Sequence, residues 1–422
     1  MENKRKSLYN IAGFLLGLLS CNNIIGIQVG NNTSINYAQF YAVGLFAVLI
    51  VFVRQWRARI TSCFNKGFKF YISLAIISMV PSLVIFQGTS YSSSPIKSIL
   101  VLITFLTIYC DVILLDDYRQ SILNGLCIGV ILNIVFSVLQ LIFYRIGYDF
   151  SLSTWFPNSS FQYNIYWYRV QGLFLETSHF ACFMIVVINL VFFKRKNVSL
   201  RWIVILSLLF LLGISFTGNF MLFLMAIVFD LVFITKKKML KLGTIHLSIA
   251  FLSIALVSLI GLAFSDKIYD LLLKTNISEM IKVGLADWNI NNTDNVSTVA
   301  RYGNMIKALE LSIKYPFGVG YGMASNMLIL EYASDVRDAF SFIITVLLEM
   351  GLVGVVSYML MIYQLGIRPF FKGKDIYKRK LGLSIIFMSV VQIANGVKWY
   401  PVFLIVMGLI SAEEARSRKP RC

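Results

Sequence analysis

Long apolar runs constrain the fold of this chain more than any other feature of its sequence. They recur in windows of about 16 to 25 residues, the length that crosses the hydrocarbon core of a bilayer as a helix. We place these windows near 8–29, 38–53, 70–87, 96–115, 121–144, 172–193, 202–217, 219–235, 243–264, 339–365, 381–396 and 399–413. The sequence therefore predicts an all-α polytopic membrane protein with about twelve transmembrane helices.

Composition agrees with a membrane protein and excludes several other classes. Hydrophobic residues make up 58% of the 422 residues and the mean hydropathy is +0.76, which a water-soluble domain could not carry without large exposed apolar patches. The net charge of +18 does not indicate nucleic-acid binding, because the basic residues form short clusters between apolar runs. The six cysteines are scattered without a CxxC pair, so neither a disulfide nor a metal site is predicted.

The basic clusters predict the orientation of the chain in the membrane. With both termini in the cytoplasm, roughly 27 of the 38 basic residues lie on the cytoplasmic side, as the positive-inside rule requires. These clusters are KRK near the start, RQWRAR at 54–59, KRK at 194–196, KKK at 236–238, KRK at 378–380 and RSRKPR at the end.

Two long loops are predicted on the outer face. Residues 146–171 interrupt the transmembrane region 1–264, and residues 265–338 separate that region from the last spans and tail, 339–422. The second loop, between the ninth and tenth helices, is large enough for a small extracytoplasmic subdomain. Both loops are rich in Tyr, Trp, Asn and Ser, which bind sugars, although aromatic residues also line membrane interfaces.

The second loop contains an amphipathic helix within the sequence STVARYGNMIKALELSIK, which starts at residue 297. Ser297 or Thr298 can cap its amino terminus. One apolar stripe at helical spacing is formed by Tyr302, Met305, Ile306, Leu309 and Ile313. Arg301, Asn304 and Lys307 fall outside that stripe.

A glycine-rich turn follows this helix in the sequence YPFGVGYG. Pro316 ends the helix, and Gly318, Gly320 and Gly322 allow backbone N–H groups to converge on an anion, as in phosphate-binding loops. The alternative interpretation is an interfacial helix with a flexible return loop.

The first loop ends in YRVQGLFLETSHFACF, which carries a second group of candidate residues. Arg169 lies at the membrane surface, and Glu176 and His179 are one turn apart at the outer end of the sixth span. Ionisable residues within a span often have a functional role, although Glu176 could instead form a structural salt bridge.

A third sequence, SFIITVLLEMGLVGV, lies in the tenth span. Gly351 and Gly354 are predicted to let helices approach closely, while Glu349 could be structural or catalytic.

These motifs, in this order, resemble the O-antigen polymerase and O-antigen ligase superfamily of bacterial surface-polysaccharide assembly. The resemblance lies in RVQGLFLETSHFA, in SFTGNFM, and in STVARYG and YPFGVGYG followed by SFIITVLLEMGLVGV. Ligases typically carry His, then Asn or Ser, nine residues, Gly, two residues and Gly or Thr. Ser341, Gly351 and Gly354 have that spacing here, but Phe340 stands at the histidine position, so the chain looks more like a Wzy-type polymerase.

The resemblance implies a membrane glycosyltransferase that acts at the outer face of the cytoplasmic membrane in lipopolysaccharide biosynthesis. The growing glycan would leave undecaprenyl diphosphate and join a hydroxyl group of a new repeat unit. Arg301 and Arg169 would stabilise the departing diphosphate, and Glu176 or His179 would accept the hydroxyl proton. Residues expected to bind substrate are Lys307, Arg337, Gly318, Gly320, Gly322 and Tyr302.

The implied partners are undecaprenyl-diphosphate-linked oligosaccharides, membrane lipids and a chain-length regulator protein, without nucleic acid, cofactor or metal. Two alternatives stay open: an O-antigen ligase, and a multi-span sugar or lipid transporter. A transporter would be expected to place charges near the midplane of several helices, often in two similar halves, whereas the polar residues here gather in the outer loops.

Overall fold

The computed structural model describes residues 2–22, 26–30, 33–145, 296–332, 341–373, 375–395 and 400–418, together with Ala339 and scattered positions from 172 to 190. Two compact units are present, one formed by residues 1–129 with 301–422 and the other by residues 130–300. The predicted membrane topology divides the chain differently, into residues 1–264, 265–338 and 339–422. That division stays a prediction.

The described secondary structure is helical apart from one β-hairpin near the amino terminus, so the predicted helical class is confirmed for most of these residues. The helices are α1 (Glu2–Leu19), α2 (Tyr37–Phe52), α3 (Trp56–Cys63), α4 (Lys66–Ile85), α5 (Ser94–Leu114), α6 (Arg119–Arg145), α7 (Val296–Lys314), α8 (Ala324–Tyr332), α9 (Phe342–Ile362), α10 (Arg368–Lys372), α11 (Ile376–Asn395) and α12 (Pro401–Arg418). Asp116–Tyr118 form a 3₁₀ turn, and Tyr363–Ile367 form a π-helical turn between α9 and α10.

Several of these helices have the length and composition of membrane spans. Among the described residues, four helical stretches meet both criteria: Lys66–Ile85, Ser94–Leu114, Asp116–Gln140 and Phe342–Lys372. They coincide with the third, fourth, fifth and tenth predicted spans, which supports a multi-pass membrane protein. The apolar helix Tyr37–Phe52 is shorter.

The other predicted spans have different outcomes. Helices α11 and α12 occupy the last two predicted spans and are long enough, but they do not have the apolar composition of the four stretches above. The predicted spans at 202–217, 219–235 and 243–264 lie outside the described residues, and 172–193 is described only at scattered positions. The total of twelve spans stays a prediction.

The first predicted span, 8–29, was wrong at its carboxyl end. Helix α1 ends at Leu19, whose carbonyl accepts a 2.7 Å hydrogen bond from Asn22 Nδ2. Strand β1 (Gly26–Gly30) then pairs antiparallel with β2 (Thr33–Asn36). An apolar count does not separate helix from strand, and the β-branched residues of this stretch favour the strand.

Helices α1 and α6 pack closely through glycines spaced four residues apart. These are Gly13, Gly17, Gly125 and Gly129. A Cβ atom at Gly17 would lie 2.2 Å from the Ile122 carbonyl oxygen, and one at Gly125 would lie 2.0 Å from the Phe14 carbonyl oxygen. This small-residue packing is typical of membrane helices, and the four-residue spacing of the glycines is visible in the sequence.

Helices α4 and α9 are antiparallel neighbours. The Gly67 amide, near the start of α4, donates a 2.8 Å hydrogen bond to the side-chain carbonyl of Gln364, just beyond the end of α9. The rings of Tyr71 and Tyr358 pack edge to face with centroids 6.0 Å apart. The end of α4 and the start of α9 therefore lie at the same end of the first unit.

The opposite end of the first unit carries a network of ion pairs. Nitrogen–oxygen distances of 2.5, 2.6, 2.9 and 3.7 Å join Arg59 to Asp117, Arg416 to Asp116, Arg119 to Glu413 and Lys378 to Glu414. The basic clusters at 54–59, 378–380 and 416–421 therefore contribute residues to one end of the unit. The positive-inside pattern predicted them on one side of the membrane.

Candidate functional site

The turn between α7 and α8 is built on three glycines with left-handed backbone conformations. Their φ angles are +87° at Gly318, +105° at Gly320 and +77° at Gly322. A Cβ atom would lie 2.3 Å from the Glu349 carbonyl oxygen at Gly318 and 2.5 Å from Ser82 Cβ at Gly320. Glycine is therefore required here both by backbone conformation and by close packing against α4 and α9.

This turn, residues 315–323, is hereafter called the glycine loop, and it docks on a break in α9. The amides of Val319 and Gly320 donate 2.9 Å hydrogen bonds to the carbonyls of Leu348 and Glu349. Gly351 interrupts the helix at φ 65° and ψ −168°, so these two carbonyls are available to the loop.

Gly351 also approaches the Pro316 carbonyl closely, because a Cβ atom there would lie 2.3 Å from that oxygen. The predicted close approach at Gly351 is thus found, but its partner is the glycine loop. At Gly354, a Cβ atom would lie 2.4 Å from Met350 Cβ of the same helix.

The hydrogen bonding of the glycine loop corrects its predicted role as an anion cradle. The Gly318 amide donates to the Tyr315 carbonyl at 2.9 Å, and the Gly320 amide donates to Glu349 as described. The Tyr321 amide donates to Ser78 Oγ at 3.2 Å. The amides of Gly318, Gly320 and Tyr321 are thus bonded within the protein, where they hold the loop against α4 and α9.

Glu349 lies beneath this loop and is 1% exposed. Its Oε1 atom accepts a 3.3 Å hydrogen bond from the amide of Ala324, the first residue of α8. A carboxylate at a helix amino terminus is stabilised by the unpaired amides and by the helix dipole. Glu349 therefore makes a structural contact at the start of α8, and its alternative catalytic role stays a prediction.

The predicted apolar stripe of α7 faces mostly outward at its described positions, and the helix packs on the protein through other residues. Its buried positions include Asn304, Ala308 and Leu311, whereas Ile313 is 82% exposed and Phe317, just past its end, is 88% exposed. The buried cluster beneath it consists of Phe86, Ala308, Leu311, Val319, Met323, Ala324, Met327, Leu328, Ala339 and Leu348. The predicted stripe is therefore mainly an outward apolar face, as expected of an interfacial helix.

Charged residues join the exposed sides of α7 and α8. Lys307 Nζ lies 5.3 Å from the centre of the Tyr332 ring, whose hydroxyl donates a 2.9 Å hydrogen bond to Glu310. Lys314 bonds to Glu331 at 2.7 Å, and this hydrogen bond raises the pKa of Lys314. The ammonium group of Lys307 therefore has a cation–π contact with Tyr332 of the same protein.

The remaining predicted site residues fall in less completely described parts of the chain. Arg301 and Tyr302 belong to the helical backbone of α7, and position 301 shares the helical register of the buried residues 304, 308 and 311. The positions outside the described residues are Arg169, Glu176, His179 and Arg337.

In the second unit, the turn at Gly172 is held by α6. The amides of Gly172 and Leu173 donate to the side-chain oxygens of Gln140 and Asn133 at 3.2 and 2.9 Å. Gln140 and Asn133 are two helical turns apart and both are buried. The described turn at residues 172–174, which shortly precedes Glu176 in the sequence, is therefore anchored by two polar residues that the sequence did not single out.

Among the described residues, no group of three His, Cys, Asp or Glu side chains is placed to hold a metal ion. No family model matches the chain, and no curated protein matches it significantly.

Sequence reasoning missed the serines that receive the glycine loop, Ser78, Ser82 and Ser98. A Cβ atom at Gly322 would lie 2.3 Å from Ser98 Oγ, and Ser78 and Ser82 are one turn apart on α4. The sequence pattern that could have identified these serines is small polar residues at helical spacing inside apolar spans.

Proposed function

We propose that the chain polymerises lipid-linked oligosaccharide repeat units at the outer face of the bacterial cytoplasmic membrane. The proposed topology has about twelve spans, cytoplasmic termini and extracytoplasmic segments at 146–171 and 265–338. The growing glycan is transferred from undecaprenyl diphosphate to a hydroxyl group of an incoming unit.

The main support for this proposal is the packing between two of the motifs that carry the resemblance. YPFGVGYG seats its backbone on the broken helix of SFIITVLLEMGLVGV through Val319 and Gly320, and Glu349 of the second motif caps the helix that follows the first. The two motifs, which residues 323–340 separate in the sequence, thus form one local structure at the end of the unit opposite the ion-pair network. A rigid backbone at this place would hold the preceding helix, which contains Arg301.

The proposed reaction breaks one bond and forms one bond. The hydroxyl oxygen of the incoming unit attacks the anomeric carbon, and the bond from that carbon to the diphosphate oxygen breaks with its electron pair. Arg301 and Arg169 stabilise the charge on the departing diphosphate, because guanidinium groups bind phosphate oxygens through paired hydrogen bonds. Glu176 or His179 accepts the hydroxyl proton, while Lys307, Arg337 and Tyr302 contact the substrate.

Deletion of the gene, followed by electrophoresis of the surface glycan, tests the proposal against its alternatives. A polymerase mutant is expected to show single capped repeat units without longer chains. Complete loss of capped units would instead indicate a ligase or a transporter. Long chains of normal distribution in the deletion strain would contradict the proposal outright.

A further inference from the structure

A cavity of about 200 Å³ lies between α10, the start of α11 and the end of α12. It is lined by Arg368, Pro369, Lys372, Gly373, Lys378, Glu414 and Ser417. Three of these side chains are cationic and one is a carboxylate, so the lining carries two net positive charges. The cavity lies at the end of the first unit that carries the ion-pair network and takes no part in the proposed reaction.

The back of the cavity is a fixed ion pair. Lys378 Nζ lies 3.7 Å from Glu414 Oε1, and the two side chains are only 16% and 11% exposed. Ser417 Oγ donates a 2.8 Å hydrogen bond to the Glu414 carbonyl. Buried in this way, Glu414 compensates the charge of Lys378 and holds its ammonium group at the cavity wall.

The front of the cavity carries two uncompensated cations. Arg368 and Lys372 are one helical turn apart on α10, and both are exposed. Neither forms an ion pair with another described residue. Helix α10 is itself held in place, because Arg379 Nε of α11 donates a 3.1 Å hydrogen bond to the Phe370 carbonyl.

Apolar side chains next to the cavity are also exposed. Ile367, Phe371 and Ile376 flank Arg368, Lys372 and Lys378 in the sequence, and each presents a large apolar side chain to the outside. The helical stretch Phe342–Lys372 has 31 residues, more than the roughly 20 that cross the hydrocarbon core. Its last residues lie at the end of the first unit that carries the ion-pair network, so we expect them near the level of the lipid headgroups.

We propose that this cavity binds the headgroup phosphate of an anionic phospholipid, with the acyl chains against Ile367 and Phe371. Arg368 would bind two phosphate oxygens, and Lys372 would add a second charge-assisted contact. Basic pockets between transmembrane helices are suited to such headgroups. A free phosphate ion offers the same kind of oxygen atoms to Arg368 and Lys372. It would leave the exposed side chains of Ile367 and Phe371 without an apolar partner, so a phospholipid is favoured.

The test uses the full-length protein in detergent, with binding followed by native mass spectrometry and by the midpoint of thermal unfolding. The probes are phosphatidylglycerol, phosphatidylcholine of the same acyl chains, and inorganic phosphate. Phosphatidylglycerol is expected to bind and to raise the midpoint, while the other two have little effect. Equal binding of both lipids would overturn the proposal, and stabilisation by inorganic phosphate alone would overturn the assignment to a lipid.

The Arg368→Gln, Lys372→Gln double variant is expected to weaken phosphatidylglycerol binding at least about tenfold, because each lost charge-assisted contact is worth about that factor. The matched control is Arg54→Gln, Lys66→Gln, which removes two exposed cations outside the cavity. Equal weakening of phosphatidylglycerol binding in both double variants would show that the lipid is attracted nonspecifically by charge, and would contradict the proposed site.

If the double variant does not fold, Ser417→Glu provides a second test at an exposed position on the cavity lining. The added carboxylate is expected to repel the phosphate and reduce binding at least about tenfold, without lowering the yield of folded protein. Unchanged binding in this variant would contradict the proposed site.

Discussion

Gly320 is one of the positions where the seating of the glycine loop does not allow a side chain. Its φ of +105° and the 2.5 Å that would separate an added Cβ from Ser82 Cβ leave no room for a side chain. Gly320→Ala is expected to lower the free energy of unfolding by about 2 to 4 kcal/mol, through backbone strain and overpacking. The measurement is thermal unfolding of the purified protein in detergent.

Gly303→Ala is the matched control for this substitution. Gly303 lies in α7, where an added Cβ would have nothing within 4 Å, and its φ is not positive. Alanine there should leave stability unchanged or raise it by about 0.5 to 1 kcal/mol. An equal loss of stability in both variants would contradict the packing described for Gly320.

Arg301 is the residue on which the proposed chemistry depends most. Arg301→Ala is expected to reduce long-chain polymer at least about 100-fold, the typical loss when a donor to developing charge is removed. Arg301→Lys should restore only part of it, because an ammonium group does not form the paired contacts of a guanidinium. The readout is polymer per amount of folded protein in the membrane.

Lys314→Ala serves as the control for Arg301, since Lys314 is an exposed cation of the same helix that pairs with Glu331. Its loss is expected to leave polymer length nearly unchanged. Normal polymer from Arg301→Ala would remove this arginine from the site, and an equal defect in both variants would point to a general charge requirement.

At the level of single elements, α7 presents an apolar face that no described part of the protein covers. Ile306, Leu309, Ile313 and Phe317 are exposed along it. The adjoining glycine loop contacts Ser82 and Ser78, which lie about 5 to 10 Å below the end of α4 at Ile85. That depth suits an element lying in the membrane interface.

We therefore expect a nitroxide attached at Phe317→Cys, in a cysteine-free background, to be more accessible to oxygen than to a water-soluble nickel complex. The control is Glu331→Cys on α8, where the native side chain pairs with Lys314 at the protein surface. This label should show the reverse preference in lipid vesicles. Preferential nickel access at Phe317 would place the end of α7 in water.

The sequence predicts an element well when the contacts that define it are local in the sequence, and poorly when they join distant residues. The length of the apolar runs predicted α4, α5, α6 and α9. A helix that crosses a bilayer needs about 20 consecutive apolar residues, and this requirement can be read from each run alone. The end of α1 at Leu19 depends instead on Asn22 and on strand pairing across residues 26–36.

The glycine loop shows the same limit at the candidate site. Its three glycines indicated an unusual backbone, but the sequence could not say whether the amides face an anion or the carbonyls of Leu348 and Glu349. That choice depends on the break at Gly351, in another helix. Sequence spacing alone does not report such a tertiary contact.

At the scale of the whole molecule, the ion-pair network and the glycine loop mark opposite ends of the first unit. In a cysteine-free background, Ser90→Cys between α4 and α5 is expected to react with a membrane-impermeant maleimide in intact cells. Ser62→Cys on α3, close to the 54–59 cluster, should react only after permeabilisation. Labelling of Ser62→Cys alone in intact cells would invert the proposed orientation.

Reconstitution of the reaction with purified protein is the decisive test of the proposed polymerase activity. The substrate is the lipid-linked single repeat unit extracted from cells that lack the gene, and the products are analysed by mass spectrometry. We expect longer lipid-linked chains and release of one undecaprenyl diphosphate for each bond formed. Folded protein that binds or translocates these units without lengthening them would contradict the proposed activity.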